Sequence, residues 1–232
     1  ILLTLAMALT LLPTAAMAEG DSETPAGGEP TPVEAPAATK VAQIGSTGYA
    51  SLAAAVANAE NGDTITLTDN IKVENTLVVT KTLTLDLAGH TLSNEENIWS
   101  DDNWSLISVR GNGNLTITGN GTLKAKKDDC YPVDVQDVGA QLTIENGTFI
   151  GNIHAVYVQT GAAYIKGGTY SVQQKYPDTS KADEFVLNCY DASRATGVAK
   201  IIVSGGSFTG FNPANCYAEG KGTNFCAEGY TT

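Results

Sequence analysis

The sequence predicts an all-β chain wound as a right-handed parallel β-helix, a solenoid with a short capping α-helix at its N-terminal side. Three observations predict it. One phrase of alternating apolar residues, glycine turn and aromatic ring recurs along the chain. The hydrophobic spacing changes from helical to period two near Thr64, and a Pro- and Ala-rich stretch sets off an apolar leader from the rest.

Ile1 to Leu12 is an almost unbroken apolar run, followed by Pro13 and by Ala16-Met17-Ala18, with small residues where a signal peptidase reads. Residues 1–18 are therefore expected to be a secretory signal peptide. The run is too short to span a bilayer, and no later stretch approaches the length a span needs, so no membrane insertion of the mature chain is expected. The chain starts at Ile1, without Met or a basic n-region, which predicts a piece of a longer reading frame. Residues 19–45, rich in Pro, Ala, Glu, Thr and Gly, hold too little apolar surface to offset the entropy of ordering and read as a disordered linker.

Residues 46–232 are assigned to the β-helix, cut short at its C-terminal end. Leu52, Ala53, Val56, Ala57 and Glu60 sit at helical spacing and end at Asn61-Gly62, which predicts one short amphipathic helix. A solenoid needs its first coil covered, so this helix is expected to be the cap. From Thr64 onward short apolar runs alternate with Gly, Asn and Asp, the pattern of strands and turns.

The repeat is carried by LTIENGTF (Leu142 to Phe149), AYIKGGTY (Ala163 to Tyr170) and IIVSGGSF (Ile201 to Phe208). LTITGNGTL (Leu115 to Leu123) is a fourth copy, with one extra turn residue and Leu in place of the ring. The glycines Gly121, Gly147, Gly168 and Gly206 recur at intervals of 26, 21 and 38 residues, so the shortest interval is one coil and the longest one coil plus an insertion. Asn-Gly and Gly-Gly allow the positive φ of a shared corner. Stacked coils would align Ile144, Ile165 and Val203 in one inward column and Phe149, Tyr170 and Phe208 in another, about 4.8 Å apart.

GDTITLTDNIKVENTLVVTKTLTLDLAGHTLS, Gly62 to Ser93, together with the LTIENGTF phrases, resembles the pectin-lyase-like β-helix domains of large cell-surface proteins of gut bacteria. The resemblance runs from about Tyr49 to the end. It implies a solenoid at the cell surface, and text like Asn224 to Thr232 in such proteins tends to precede further domains or a wall anchor. It implies little about chemistry, since its motifs are structural. The catalytic motifs of the lyases and polygalacturonases of this fold are not found here.

Composition limits the partners. The formal net charge is -12, and removing the leader removes no charged side chain, so nucleic acid is not an expected partner. Export permits disulfides among Cys130, Cys189, Cys216 and Cys226; Cys216 and Cys226 could clip one loop, while buried or unpaired thiols are expected for the other two. No CxxC pair points to zinc, and no metal site is expected.

Three segments interrupt the repeat: 94–105, 124–132 and 171–184. In the first, Trp99 and Trp104 stand among Glu95, Glu96, Asp101 and Asp102. Indole faces stack on sugar rings and carboxylates accept from hydroxyls, so glycan contact is one expectation; a loop folded onto its own flank with solvated acids is the other. In the second, Lys124, Lys126 and Lys127 precede Asp128 and Asp129, and a lyase would need such carboxylates to hold calcium. Neighbouring residues on a strand point to opposite faces, so a solvated charge run is the stronger expectation. His90 and His154 lie far apart with no Ser or Cys arranged beside them, and are expected to be structural. Sequons at Asn103, Asn114, Asn120 and Asn146 are explained by strand and turn patterning.

The sequence thus leads to a secreted or cell-surface module, a monomer acting as a rigid spacer or adhesin, whose loops contact polysaccharide or a host or cell-surface protein. The binding candidates are Trp99, Asp101, Asp102, Trp104, Asp128 and Asp129, with no catalytic residue assigned and no cofactor. The alternative is a polysaccharide lyase or glycoside hydrolase of the pectin-lyase-like fold acting on acidic polysaccharide, for which calcium would be the cofactor.

Overall fold

The computed structural model describes residues 39–174 and 185–232. The expected leader, most of the linker and residues 175–184 of the third insertion lie outside the described residues.

Two short strands, β1 (Ala42–Ile44) and β2 (Thr47–Tyr49), form a hairpin, and helix α1 (Leu52–Asn58) follows. Ser51 caps α1 by accepting from the Ala54 N–H at 3.1 Å. At its other end the Lys81 ammonium donates to the carbonyls of Val56, Ala57 and Ala59, groups that have no partner within the helix. Leu52 and Ala55 are buried where the helix packs on β1, β2 and β3 (Thr64–Leu67).

From β3 onward the chain winds through a fixed cycle of three strands. The first turn is β3, β4 (Ile71–Lys72) and β5 (Leu77–Val79); the second is β6 (Thr82–Asp86), β7 (Thr91–Ser93) and β8 (Ser105–Val109). The third is β9 (Asn114–Thr118), β10 (Thr122–Lys124) and β11 (Tyr131–Val135); the fourth is β12 (Gln141–Ile144), β13 (Thr148–Gly151) and β14 (Val156–Val158). The fifth is β15 (Gly161–Ile165), β16 (Thr169–Val172) and β17 (Leu187–Cys189), followed by helix α2 (Asp191–Ala195), and β18 (Ala199–Val203) and β19 (Ser207–Phe208) open the next. Each strand pairs in parallel with its counterpart one turn away, giving sheets of eight, six and five strands, the first including the antiparallel β1 and β2. The chain is therefore mostly β, built of stacked parallel strands and compatible with a parallel β-helix.

The register explains the core. Ile65, Leu85, Ile117, Ile144, Ile165 and Val203 stand above one another in the eight-stranded sheet, and all are buried. In the six-stranded sheet Leu123 sits against Phe149, Phe149 against Tyr170 and Tyr170 against Phe208. Each buried aliphatic side chain contributes roughly 1.5 to 3 kcal/mol, so the columns dominate the stability. Cys189 ends such a column, above Val158 and Val135, and burial pushes its thiol up to about 12. All four cysteines are free thiols, Cys216 being buried with its Sγ 3.5 Å from the Thr223 carbonyl oxygen.

The corner glycines are dictated by their neighbours in the coil below. A Cβ on Gly167 would lie 2.2 Å from the Glu145 carbonyl oxygen, and one on Gly205 2.2 Å from that of Lys166. Gly168, with φ +92°, takes the left-handed turn that follows.

Candidate functional site

The five-stranded sheet differs from the other two in having both faces covered for part of its length. Ile107, Val109, Val133 and Val135 fill the core, and alternate residues of a strand face opposite ways, so Ser108 and Asp134 lie on the outer face. Both are nevertheless buried, and they are paired across the strands, with Tyr157 and then Asn188 in the same row.

The cover includes the loop of residues 94–104, between β7 and β8. Asp129, a buried carboxylate, anchors one end of it. Its Oδ2 accepts from the Asn94 amide at 2.8 Å and the Ile98 N–H at 2.9 Å, and its Oδ1 from the Trp99 N–H at 3.1 Å. Arg110 anchors the other end, donating from Nη2 to the Asp102 carbonyl and Asn103 Oδ1 and from Nε to Ser108 Oγ at 2.9 Å. A negative and a positive side chain, both projecting from the scaffold, thus hold the two halves of the loop.

Between these anchors the aromatic rings gather. Trp99 and Trp104 stack with centroids 6.3 Å apart and planes 27° from parallel. Trp99 meets Tyr131 edge-on at 5.3 Å and Trp104 meets Tyr157 edge-on at 6.0 Å. Behind them His154 lies flat against Tyr157 at 5.3 Å and tilted against Tyr131 at 4.7 Å. Trp104 is partly buried in this cluster, whereas Trp99 keeps 48 % of its surface exposed. The loop folds onto its own flank and still presents one indole to solvent.

The site's electrostatics follow from burial. Loss of solvation pushes the Asp134 carboxyl up, opposed by the Ser108 hydroxyl, the Gln136 amide and the Arg110 guanidinium. Gln136 donates to Asp134 Oδ2 at 2.9 Å, while Oδ1 is buried with no hydrogen-bond partner. Burial depresses His154 to about 4, and its Nδ1 lies 2.6 Å from the Phe185 carbonyl oxygen. A carbonyl only accepts, so Nδ1 carries the proton of a neutral ring.

The candidates from the sequence divide accordingly. Trp99 and Trp104 are brought together; Asp101 and Asp102 lie exposed in the same loop, Asp102 using its backbone carbonyl to hold Arg110. Asp128 is exposed at a turn with φ +61°, and Asp129 is buried and builds the loop. Among the described residues no three His, Cys, Asp or Glu side chains gather closely enough to hold a metal. Sequence reasoning did not single out Tyr131, Tyr157, Asp134 and Ser108; for Ser108, Asp134 and Tyr157 the signal available was a polar or aromatic residue between core positions of a strand whose outer face would otherwise be bare, whereas Tyr131 has the parity of the core residues Val133 and Val135 and alternation gives no such signal.

No protein-family model, curated protein or solved structure matches the chain. The conclusions about function therefore rest on the residues themselves.

Proposed function

We propose that the chain is an exported surface module, a right-handed parallel β-helix of the pectin-lyase-like kind capped by α1, that acts as a rigid spacer or adhesin and contacts glycan through the loop of residues 94–104. The observation that carries this reading is the half-exposed Trp99 indole, backed by Trp104 and Tyr131 and flanked by the exposed carboxylates of Asp101 and Asp102. An indole held by ring neighbours loses little entropy when a sugar face stacks on it, and adjacent carboxylates accept from sugar hydroxyls.

The lyase or hydrolase reading has less support. It draws on Asp101, Asp102, Asp128 and Asp129, and Asp129 already accepts three hydrogen bonds from the loop.

The test is a glycan array probed with the purified chain and with Trp99→Ala, paired with an assay for unsaturated products on uronate polysaccharides. Binding that falls at least tenfold in Trp99→Ala, with the thermal transition unchanged and no product formed, supports the module. Binding that is absent, or indifferent to the substitution, removes it.

A further inference from the structure

The tip of the loop over the five-stranded sheet, residues 100–103, is a turn closed upon itself. Ser100 N–H donates to the Asn103 carbonyl at 2.9 Å, and the Asn103 amide donates to Ser100 Oγ at 3.3 Å. Among the described residues, the side chain that ties this tip to the scaffold by hydrogen bonds is that of Arg110, whose Nη2 donates to the Asp102 carbonyl and, at 3.2 Å, to Asn103 Oδ1. Asp101 and Asp102 ride exposed on the tip. The residues on either side are held separately: the Trp99 N–H by Asp129, and the Trp104 carbonyl by the Tyr131 N–H at 2.8 Å. The tip is therefore a small unit between two fixed points, secured by one guanidinium.

That guanidinium stands next to a second acceptor. Its Nε donates to Ser108 Oγ at 2.9 Å, and Ser108 is the register partner of Asp134 on the neighbouring strand, about 4.8 Å away. Asp134 is wholly buried; Gln136 donates to its Oδ2, and its Oδ1 has no hydrogen-bond partner. The three acceptors that Arg110 uses are all uncharged oxygens, and among the described residues no ion pair joins it to Asp134.

A buried carboxylate with an unanswered oxygen, beside a guanidinium bonded to neutral oxygens, has two competing solutions. In the structure Arg110 holds the tip. In the other solution Arg110 pairs with Asp134, and water takes its place at the Asp102 carbonyl and Asn103 Oδ1. A charge-assisted hydrogen bond is about twice as strong as a neutral one, which offsets the bonds given up at the tip. The bonds within the turn survive the exchange, so the tip moves without unravelling.

We propose that Arg110 is a two-position latch: bonded to Asp102 and Asn103 it seats the tip between Trp99 and Trp104, and paired with Asp134 it releases the tip as a unit. Seated, the tip keeps the Asp101 and Asp102 carboxylates beside the exposed indole. Released, it carries them away while Asp129 and Tyr131 retain the loop on either side. The apparent affinity of the site falls in proportion to the fraction of chains in the released state. That the latch regulates glycan contact rests on the proposed function, whereas the movement itself does not.

The test is side-chain NMR of the full chain without glycan, in which Arg110 and Arg194 are the only arginines. Nitrogen relaxation dispersion at Arg110 Nε is expected to show a minor state of roughly 1 to 10 % of chains. The Asp134 carboxyl carbon is expected to exchange at the same rate. Asp134→Asn withdraws the charged partner and should lower the released population roughly tenfold, the factor for one hydrogen bond to a charged group. An Asp134 that merely braces the closed loop would give the opposite change. Asn103→Ala, on the tip and away from the buried row, should raise the released population about fivefold, for one neutral hydrogen bond, and move the Arg110 Nε and Asp134 carboxyl signals together. A static Arg110, a released population that stays or rises in Asp134→Asn, or an Arg110 response to Asn103→Ala that Asp134 does not share overturns the latch. Each of these outcomes leaves the glycan reading of Trp99 to be decided by its own array.

Discussion

The ring of Tyr170 lies between those of Phe149 and Phe208, 5.2 Å and 11° from the first, 4.9 Å and 15° from the second. Its hydroxyl donates to the Gly167 carbonyl at 2.6 Å. The ring therefore joins three successive turns of the solenoid, and the hydroxyl ties it to the glycine corner of its own turn. Tyr170→Ala should cost about 3 to 5 kcal/mol, the range for removing a buried aromatic side chain, while Tyr170→Phe should cost about 1 kcal/mol for the lost hydrogen bond. Urea denaturation followed by circular dichroism measures both. Equal losses in the two variants would show that the stack contributes little.

This column was legible in the sequence because the repeat carries its own register. Phe149, Tyr170 and Phe208 follow the same glycine turn, and identical local chemistry places identical residues at the same point of each turn. The longest interval between corner glycines, ending at Gly206, contains one turn together with residues 173–184 and α2, an insertion that alters no register on either side.

Asp129 supports a second prediction. Asp129→Ala would leave the Asn94 amide and the Ile98 and Trp99 N–H groups without their acceptor, and hydrogen bonds to a charged group contribute about 1.5 to 3 kcal/mol each. The loop should come away from the sheet, exposing Trp99 and Trp104 to water. Tryptophan emission should shift to longer wavelength and acrylamide quenching should at least double, with the far-ultraviolet spectrum of the sheets kept. Asp128→Ala, at an exposed neighbouring turn, is the control and should change neither.

The candidate site was legible only in part, and the reason is geometric. Trp99 and Trp104 stood out by residue type, but which of the adjacent acids faces inward depends on the turn at Asp128, whose positive φ no repeat announces. Likewise Ser108 and Asp134 occupy positions that alternation assigns to the outer face, where polar residues are ordinary. Their burial arises from a loop folding over them, a long-range contact that leaves no periodic trace.

His154 carries the last prediction, a dependence of stability on pH. The ring is buried among Tyr131, Tyr157 and Phe185, and burial depresses it to about 4 from the ordinary 6.5. The unfolded chain therefore binds the proton more readily than the folded one. Stability from keeping this ring neutral is present in full above about 6.5 and declines as the pH falls towards 4, by an amount on the order of 2 to 3 kcal/mol. His154→Phe keeps a ring in the cluster but cannot be protonated and loses the bond to the Phe185 carbonyl. At pH 7 the variant should be less stable by about 1 kcal/mol, and by pH 4 the difference should reverse, because only the unmodified chain gains from unfolding a ring that then takes up a proton. Urea midpoints of the two chains at half-unit intervals between pH 4 and 7.5 give the difference directly, free of the other carboxyls that titrate in both. A constant offset across that range would mean that the imidazole is as basic inside the cluster as in water.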